Sequence, residues 1–183
     1  MEEGRVILSA EPFALTIERL CHQLIEEHDE FENTCFVGIQ EGGVALGNRI
    51  ITRLSEILDG KQLLYGKMDI TFYRDDFRTR QKPLRASPTE MDFIVDGKKV
   101  ILIDDVLYTG RTVQAALTAL NHYGRPEGVE LLAMVDRRFN RHLPIQSDYV
   151  GLTIDALDDA YVSVEWAENE GEDKIIIFGS KAV

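Results

Sequence analysis

Two adjacent carboxylates, followed within a few residues by hydroxyl side chains around a glycine, form the part of the sequence best suited to chemistry. They lie in Val100–Thr112, which reads VILIDDVLYTGRT. At the start of a helix, Thr109–Thr112 would offer backbone N–H groups, two hydroxyls and the positive end of the helix dipole to a phosphate. Asp104 and Asp105 would repel a phosphate but could accept hydrogen bonds from a neighbouring diol. A sugar phosphate satisfies both halves of this stretch.

Alternating strands and helices must position these residues. Apolar periodicity predicts three helices, at Glu11–His28 with Ser9 as the N-cap, from Val44 to Leu58 after a glycine turn, and from about Thr112 to Tyr123. Short β-type runs predict strands at Thr34–Ile39, Leu63–Tyr73, Met91–Val95, Lys99–Ile103, Val129–Val135, Tyr161–Trp166 and Lys174–Phe178. Asp96-Gly97 between two of these strands is a hairpin signal, and the stretch after Asp136 is interpreted as irregular.

This alternation predicts an α/β fold with a mostly parallel twisted sheet and helices on both faces. Ligands bind such sheets beyond the carboxyl ends of the strands, and the loops that begin at Gln40, Asp104 and Asp136 all follow strand ends. We therefore expect these loops to converge on one site. The chain is predicted to be a single domain over residues 1–183, with a mobile basic loop at about 74–90 and C-terminal strands at about 161–178.

Composition limits the classes of function. The chain is 44% hydrophobic and 28% charged, which is ordinary for a globular protein, and has neither a signal-peptide pattern nor an apolar run long enough for a membrane span. We expect a cytoplasmic protein. The net charge of −12 disfavours a general nucleic-acid surface, since phosphate binding is mainly electrostatic. Two cysteines and four histidines form no metal-binding pattern.

The stretch around the acidic pair resembles the phosphoribosyl pyrophosphate (PRPP) signature of type I phosphoribosyltransferases. The resemblance implies that fold, with a lid loop and a small C-terminal hood. It also implies that Asp104 and Asp105 hold the ribose hydroxyls. The remaining residues of the signature would bind the substrate around its 5′-phosphate; they are Val106, Leu107, Tyr108, Thr109, Gly110, Arg111 and Thr112.

Other stretches are similar to the PyrR family, pyrimidine operon attenuation regulators with uracil phosphoribosyltransferase activity. They are DITFYRDD at 69–76, VDR at 135–137, LPI at 143–145 and DYVG at 148–151. The resemblance implies displacement of pyrophosphate from PRPP by uracil, giving uridine monophosphate (UMP). Hypoxanthine and guanine enzymes carry an acid at the position of Tyr108, so a purine substrate is disfavoured. A tyrosine that merely packs the turn is an equally good interpretation.

The resemblance also implies roles outside the signature. Asp104, Asp105, Asp136 and Arg137 would be catalytic, with Asp105 and Asp136 at Mg²⁺ and Arg137 near pyrophosphate. Arg74 would bind substrate at the start of the lid, in which Arg78, Arg80 and Lys82 follow. Uracil would be held largely by backbone groups after Asp136 and near Val150.

Two departures from the PyrR pattern keep alternatives open. The pyrophosphate loop of the family usually reads GIKTRG, whereas this chain has Gly38 and Ile39 followed by Gln40, Glu41, Gly42 and Gly43. Two cations are missing, which should weaken PRPP binding, although backbone N–H groups can still bind pyrophosphate. A PRPP- or nucleotide-sensing regulator with weak catalysis is therefore an alternative, as is a phosphoribosyltransferase for another base.

The second departure concerns RNA. In the family the first helix contributes threonine and basic residues to an RNA-binding face, but Glu18 and Glu27 stand at the matching positions here, with Arg19 and His22 retained. Residues after Asp136 that could still contact phosphate are Arg137, Arg138, Arg141 and His142. The acidic surface argues against RNA attenuation. Relatives form dimers or higher oligomers, so we expect a homo-oligomer, with the first helix as a candidate contact.

Overall fold

The computed structural model describes residues 4–74, 88–155 and 160–179. Its strands are β1 Arg5–Leu8, β2 Thr34–Ile39, β3 Leu64–Met68, β4 Lys99–Leu107, β5 Gly128–Arg137, β6 Tyr149–Ile154, β7 Tyr161–Glu165 and β8 Lys174–Phe178. Its α-helices are α1 Ala10–His28, α2 Gly42–Ile57, α3 Arg111–Leu120 and α4 Ala167–Glu170. Short 3₁₀ helices lie at Thr71–Tyr73 and Asn121–Tyr123.

Five strands form a parallel sheet in the order β3-β2-β4-β5-β6, which confirms the predicted α/β fold. The central strand β4 is paired on both edges, with Leu102 opposite Val37 of β2 and Leu131 of β5. Both faces of β4 are also covered, because Ile101 and Ile103 join the core under α1 and α2 while neighbouring residues join the core under α3. Coverage on both faces explains the unbroken apolar run in the sequence.

A second, antiparallel sheet joins the two ends of the described chain in the order β1-β8-β7. Its C-terminal strands β7 and β8 were predicted, but β1 was not. Trp166, the residue directly after β7, packs edge-on against Phe13 of α1 with ring centroids 5.6 Å apart. This contact attaches the second sheet to the core of the first.

The apolar stripe of α1 is used inside the chain. Five of its residues are buried: Phe13, Ile17, Leu20, Cys21 and Leu24. Ser9 occupies the predicted N-cap position, where its carbonyl accepts a 2.9 Å hydrogen bond from the Phe13 N–H. Among the described residues of α1, the large apolar side chain left exposed is Leu15, so the buried stripe itself offers no surface to another subunit.

Three further parts of the prediction differ from the structure. Met91–Val95 is not a strand, because both edges of β4 are already paired with β2 and β5. The Val95 N–H instead donates to the Tyr123 carbonyl at 2.8 Å, although the predicted turn at Asp96 and Gly97 is present. The strand predicted from Leu63 to Tyr73 ends at Met68, and the 3₁₀ helix at Thr71–Tyr73 follows it.

The third difference lies after Asp136, where the sequence suggested only irregular structure. Tyr149–Ile154 forms the edge strand β6. Its glycine obscured the pattern: a Cβ at Gly151 would lie 2.5 Å from the Met134 carbonyl oxygen, so this position needs a residue without a side chain.

Most of the predicted lid at 74–90, including Arg78, Arg80 and Lys82, lies outside the described residues. The described ends show Arg74 half-buried and Glu90 paired with Lys67 in an isolated bridge. Within the described ranges, no helix combines the length and apolarity that crossing a membrane requires.

Candidate active site

The candidate site lies where four loops meet at the carboxyl edge of the parallel sheet. The chain passes from β2 outward to β3 and then returns to place β4 on the opposite side of β2, so the winding direction reverses between β2 and β4. Ligand sites of open α/β sheets form at such a reversal. The loop after β2 and the acidic pair of β4 both lie there, as the sequence predicted.

Asp104 and Asp105 end the apolar part of β4. Asp104 is 5% exposed, and one oxygen of its carboxylate accepts the Asp105 N–H at 3.1 Å. Burial, and then the charge of Asp105, raise the pKa of Asp104 well above its usual range, while Arg74 partly offsets them. Burial also raises the pKa of Asp105, whose Oδ1 accepts the Val106 N–H at 2.8 Å. Keeping both carboxylates ionised in the ligand-free protein therefore costs free energy.

The loop Gln40–Gly43 (the 40–43 loop) contacts this acidic pair directly. A Cβ at Gly42 would lie 2.0 Å from Oδ2 of Asp105, and one at Gly43 would lie 2.1 Å from the Ile103 carbonyl oxygen. Both glycines are therefore required for close approach between α2 and β4. Glu41 is exposed, and the Gln40–Glu41 peptide bond is cis. The side-chain amide of Gln40 donates to the Pro88 carbonyl at 3.2 Å.

The segment Tyr108–Thr112 forms the turn between β4 and α3. Gly110 is the N-cap of α3 and has a φ of 90°, a conformation that favours glycine. Arg74 reaches this turn and donates to the Thr112 hydroxyl at 3.2 Å. The Arg111 N–H lies 3.4 Å from the Thr109 hydroxyl oxygen. A cation, hydroxyl groups and the N-terminus of a ten-residue helix thus share one corner, which is suited to an anion.

Asp136 and Arg137, at the end of β5, lie next to this turn and are both buried. The guanidinium carbon of Arg137 lies 3.8 Å from the centroid of the Tyr108 ring, a cation–π arrangement. The sequence placed Arg137 near the ligand and left open whether Tyr108 only packs the turn. The structure shows that the tyrosine ring supports the arginine.

Arg141 is a site residue whose position the sequence did not predict. It forms an ion pair with Asp136 and donates to the Tyr108 carbonyl at 2.5 Å. The sequence offered Arg141 only as a possible phosphate contact on an RNA-binding surface. Its place in the site depends on the chain turning back after β5. Residues 138–148, which make this turn, form neither a helix nor a strand.

The residues that follow Arg141 cover the anion corner. The His142 N–H donates to the Thr109 carbonyl at 3.0 Å, and the Arg111 Nε–H points to Nδ1 of His142 at 3.4 Å. A Cβ at Gly110 would meet the Ile145 side chain at 3.2 Å. The LPI stretch at 143–145 therefore packs over the turn Tyr108–Thr112, which forms the anion corner.

The structure does not bring Val150 to the site. Val150 is level with Ala133 in the sheet, three residues before Asp136, and its carbonyl accepts a 3.2 Å hydrogen bond from Arg19. The β6 residue opposite Asp136 is Thr153. The other predicted site residues, from the 40–43 loop, Arg74, Asp104–Thr112 and the end of β5, lie at this same edge of the sheet.

Comparison with known proteins agrees with this geometry. The family model described as "Phosphoribosyl transferase domain" matches residues 5–169. A hypoxanthine phosphoribosyltransferase structure from Staphylococcus aureus superposes with a TM-score of 0.65 at 22% identity, covering 86% of this chain and 80% of that one. The fold and the matched family define this protein as a type I phosphoribosyltransferase.

Similar curated sequences narrow the class. "Bifunctional protein PyrR" of Deinococcus radiodurans is 40% identical over 172 residues, covering 94% of this chain and 93% of the relative. "Bifunctional protein PyrR" of Elusimicrobium minutum is 38% identical over 173 residues, covering 94% and 96%. The chain belongs to the PyrR family.

Proposed function

We propose that the protein transfers the 5-phosphoribosyl group of PRPP to uracil, giving UMP and pyrophosphate. One observation carries this proposal. The acidic pair that ends β4 is followed directly by an anion corner at the start of α3, where Arg74 contacts Thr112. This is the pairing of diol acceptors and phosphate donors that a ribose 5-phosphate requires.

The site residues divide according to the parts of PRPP. Thr109–Thr112 and Arg74 would bind the 5′-phosphate, and Asp104 and Asp105 would accept hydrogen bonds from the ribose hydroxyls. The 40–43 loop, beside Asp105, would offer backbone N–H groups to pyrophosphate. Hydrogen bonds to the diol favour the charged form of both acids and so counteract the burial that raises their pKa values.

In the reaction, the bond between C1 of ribose and the pyrophosphate oxygen breaks, a bond from N1 of uracil to C1 forms, and the N1 proton passes to the departing pyrophosphate or to solvent water. Positive charge develops on the ribose, so the protein contributes mainly by holding both reactants in line and by excluding water. Arg137, supported by the Tyr108 ring, would face the departing pyrophosphate. Arg141 would orient Asp136 and the Tyr108 carbonyl.

The donor set fits Mg²⁺ held jointly by protein and substrate. Within the described ranges, no three acidic, histidine or cysteine side chains come together as a metal site. Mg²⁺ commonly uses one or two carboxylates together with substrate phosphates, and half-buried Asp105 at the site edge can supply one. Asp136 is ion-paired with Arg141, so it suits the waters of the ion better than direct ligation. When bound, Mg²⁺ would neutralise charge on the pyrophosphate.

Uracil is favoured over a purine because Tyr108 supplies no carboxylate beside the base. Backbone groups after Asp136 are our candidates for reading uracil. Val150 is not, because it lies level with Ala133 in the sheet, three residues before Asp136. We place this activity in the cytoplasm, in a homo-oligomer, in line with its family.

A PRPP- or nucleotide-sensing regulator is the second candidate. The observation that favours it is the 40–43 loop, which has no cation and carries the exposed acid Glu41. Such a protein would still bind UMP, because the anion corner is intact, but would turn over PRPP slowly.

The deciding experiment incubates purified protein with PRPP and Mg²⁺ and, separately, uracil, hypoxanthine, guanine or orotate. Formation of UMP by the parent but not by the Asp104→Asn/Asp105→Asn variant would support the transferase. UMP binding without product from any base would favour the sensing regulator. A nucleotide formed only from another base would overturn uracil as the acceptor.

A further inference from the structure

Tyr65 of the edge strand β3 reaches across β2 to the first turn of α2. Its hydroxyl donates to the Val44 carbonyl at 3.2 Å, and its side chain is half-buried. Burial raises the pKa of Tyr65 above its usual value, so the hydroxyl remains a donor throughout the physiological pH range. The contact joins a strand at the edge of the sheet to the helix that follows the 40–43 loop.

Two glycines make room for this side chain. A Cβ at Gly47 would lie 2.5 Å from the Tyr65 hydroxyl oxygen and 3.0 Å from two ring atoms, and a Cβ at Gly38 would lie 2.8 Å from the same oxygen. Gly38 also allows α2 to approach β2, since its Cβ would be 3.0 Å from the Gly43 carbonyl oxygen and the Val44 Cα. Tyr65 therefore fills a notch formed by a strand glycine and a helix glycine.

The notch lies next to the candidate pyrophosphate site. Val44 follows Gly42 and Gly43, whose backbones approach Asp105 and the Ile103 carbonyl. Movement of the first turn of α2 would shift these backbone groups directly. Because the 40–43 loop has no cationic side chain, its affinity for an anion depends on the positions of its N–H groups.

We propose that Tyr65 is a positioning residue that holds the 40–43 loop in its pyrophosphate-binding geometry. The inference rests on the proposed function, because it assigns the loop a pyrophosphate ligand. Tyr65 touches no reacting atom and acts through Val44.

The first test is Tyr65→Phe, which removes the hydroxyl and keeps the ring. We expect the dissociation constant and KM for PRPP to rise about threefold to tenfold, the range expected for one hydrogen bond. kcat, and KM for uracil, should stay within about twofold. An effect on PRPP alone distinguishes positioning of the loop from a general structural defect, which would change all of these quantities. Tyr161→Phe, at an exposed tyrosine of the second sheet, is the matched control.

The second test changes both sides of the contact between Tyr65 and Gly47, first singly and then together. Gly47→Ala should clash with Tyr65 and weaken PRPP binding, and Tyr65→Val should weaken it by removing the contact. Since valine leaves space beside residue 47, the double variant should bind PRPP more tightly than either single variant. Amide exchange of residues 43–47 without ligand should rise in Tyr65→Val and fall again in the double variant.

The outcomes separate the two proposals. A parent that binds PRPP, with Tyr65→Phe unchanged and the double variant merely additive, overturns the role of Tyr65 and leaves the proposed function intact. A parent that binds no PRPP by calorimetry overturns both.

Discussion

At the scale of single residues, Asp104 links stability to pH. Its folded-state pKa is raised mainly by burial, so between pH 3.8 and the raised value the folded chain holds more protons than the unfolded chain. Stability from this group is therefore present at low pH and is lost as pH rises through that window. Asparagine cannot ionise and keeps the oxygen that accepts the Asp105 N–H.

We therefore expect Asp104→Asn to stabilise the ligand-free protein at pH 8 by about 1–2 kcal/mol, or roughly 2–8 °C in Tm. The gain should shrink toward pH 4, because the buried aspartate is then protonated and pH 4 lies close to its unfolded-state pKa of 3.8, so little depends on the ability to ionise. The variant should also bind PRPP more weakly than the parent. Thermal unfolding across this pH range measures the effect. A gain of equal size at pH 4 and pH 8 would show that burial of the charge is not its cause.

Glu41 opposes anion binding through its charge. It is exposed in a loop beside Asp105, so substitution should cost little stability. Glu41→Lys should tighten PRPP binding by about 1 kcal/mol, roughly fivefold, and Glu41→Gln by less. Titration calorimetry at low and high salt measures the change. Glu32→Lys makes the same charge change before β2, at the opposite edge of the sheet, and should leave affinity unchanged; equal effects would point to net charge alone.

At the scale of elements, the contact between α2 and β4 depends on Gly43. A methyl group there would meet the Ile103 carbonyl oxygen, a backbone atom that cannot rotate away. Gly43→Ala should therefore lower the free energy of unfolding by about 2 kcal/mol, a typical cost of overpacking. Gly128→Ala is the control, because a methyl group at that position would meet nothing within 4 Å. Denaturant unfolding of both variants makes the comparison, and equal stabilities would contradict the close packing.

The turn after β5 provides a second comparison between neighbouring arginines. Arg141 pairs with buried Asp136, whereas exposed Arg138 pairs with exposed Asp155, which directly follows β6. Arg141→Gln should lower kcat/KM about tenfold to 100-fold, since it removes the partner of a buried carboxylate and a contact to the Tyr108 carbonyl. Arg138→Gln should retain most activity. Similar losses of kcat/KM for the two variants in steady-state assays would show that Arg141 has no specific role in the site.

At the scale of the whole molecule, charge argues against RNA binding. The net charge is −12, and Glu18 forms an ion pair with Arg53 at 2.5 Å, a contact that lowers the pKa of Glu18 to about 2. We expect RNA to bind with a dissociation constant above about 10 µM at 0.15 M salt, in the range of non-specific contacts. Fluorescence anisotropy tests this, with Glu18→Lys/Glu27→Lys as the variant that should bind more tightly. Submicromolar binding by the parent would restore an RNA function.

The order of strands and helices followed largely from local patterns. Buried strands such as Thr34–Ile39 appear as continuous apolar runs, and α1 shows a clear helical stripe. Edge elements were harder to predict. Tyr149–Ile154 is a strand because it pairs with β5. Met91–Val95 is not a strand, because β2 and β5 already occupy both edges of β4. Strand pairing depends on distant segments, which a local pattern does not contain.

The sequence by itself determined the sheet class and the phosphate- and ribose-binding candidates, because Asp104–Thr112 is contiguous and its chemistry depends on neighbouring residues. Only the tertiary structure placed Arg141 on Asp136, Arg137 over Tyr108 and Tyr65 against Gly47, and showed Val150 away from the site. These contacts join residues on different elements or on opposite sides of a turn. Their geometry is set by sheet register and helix packing, so no spacing along the chain could reveal it.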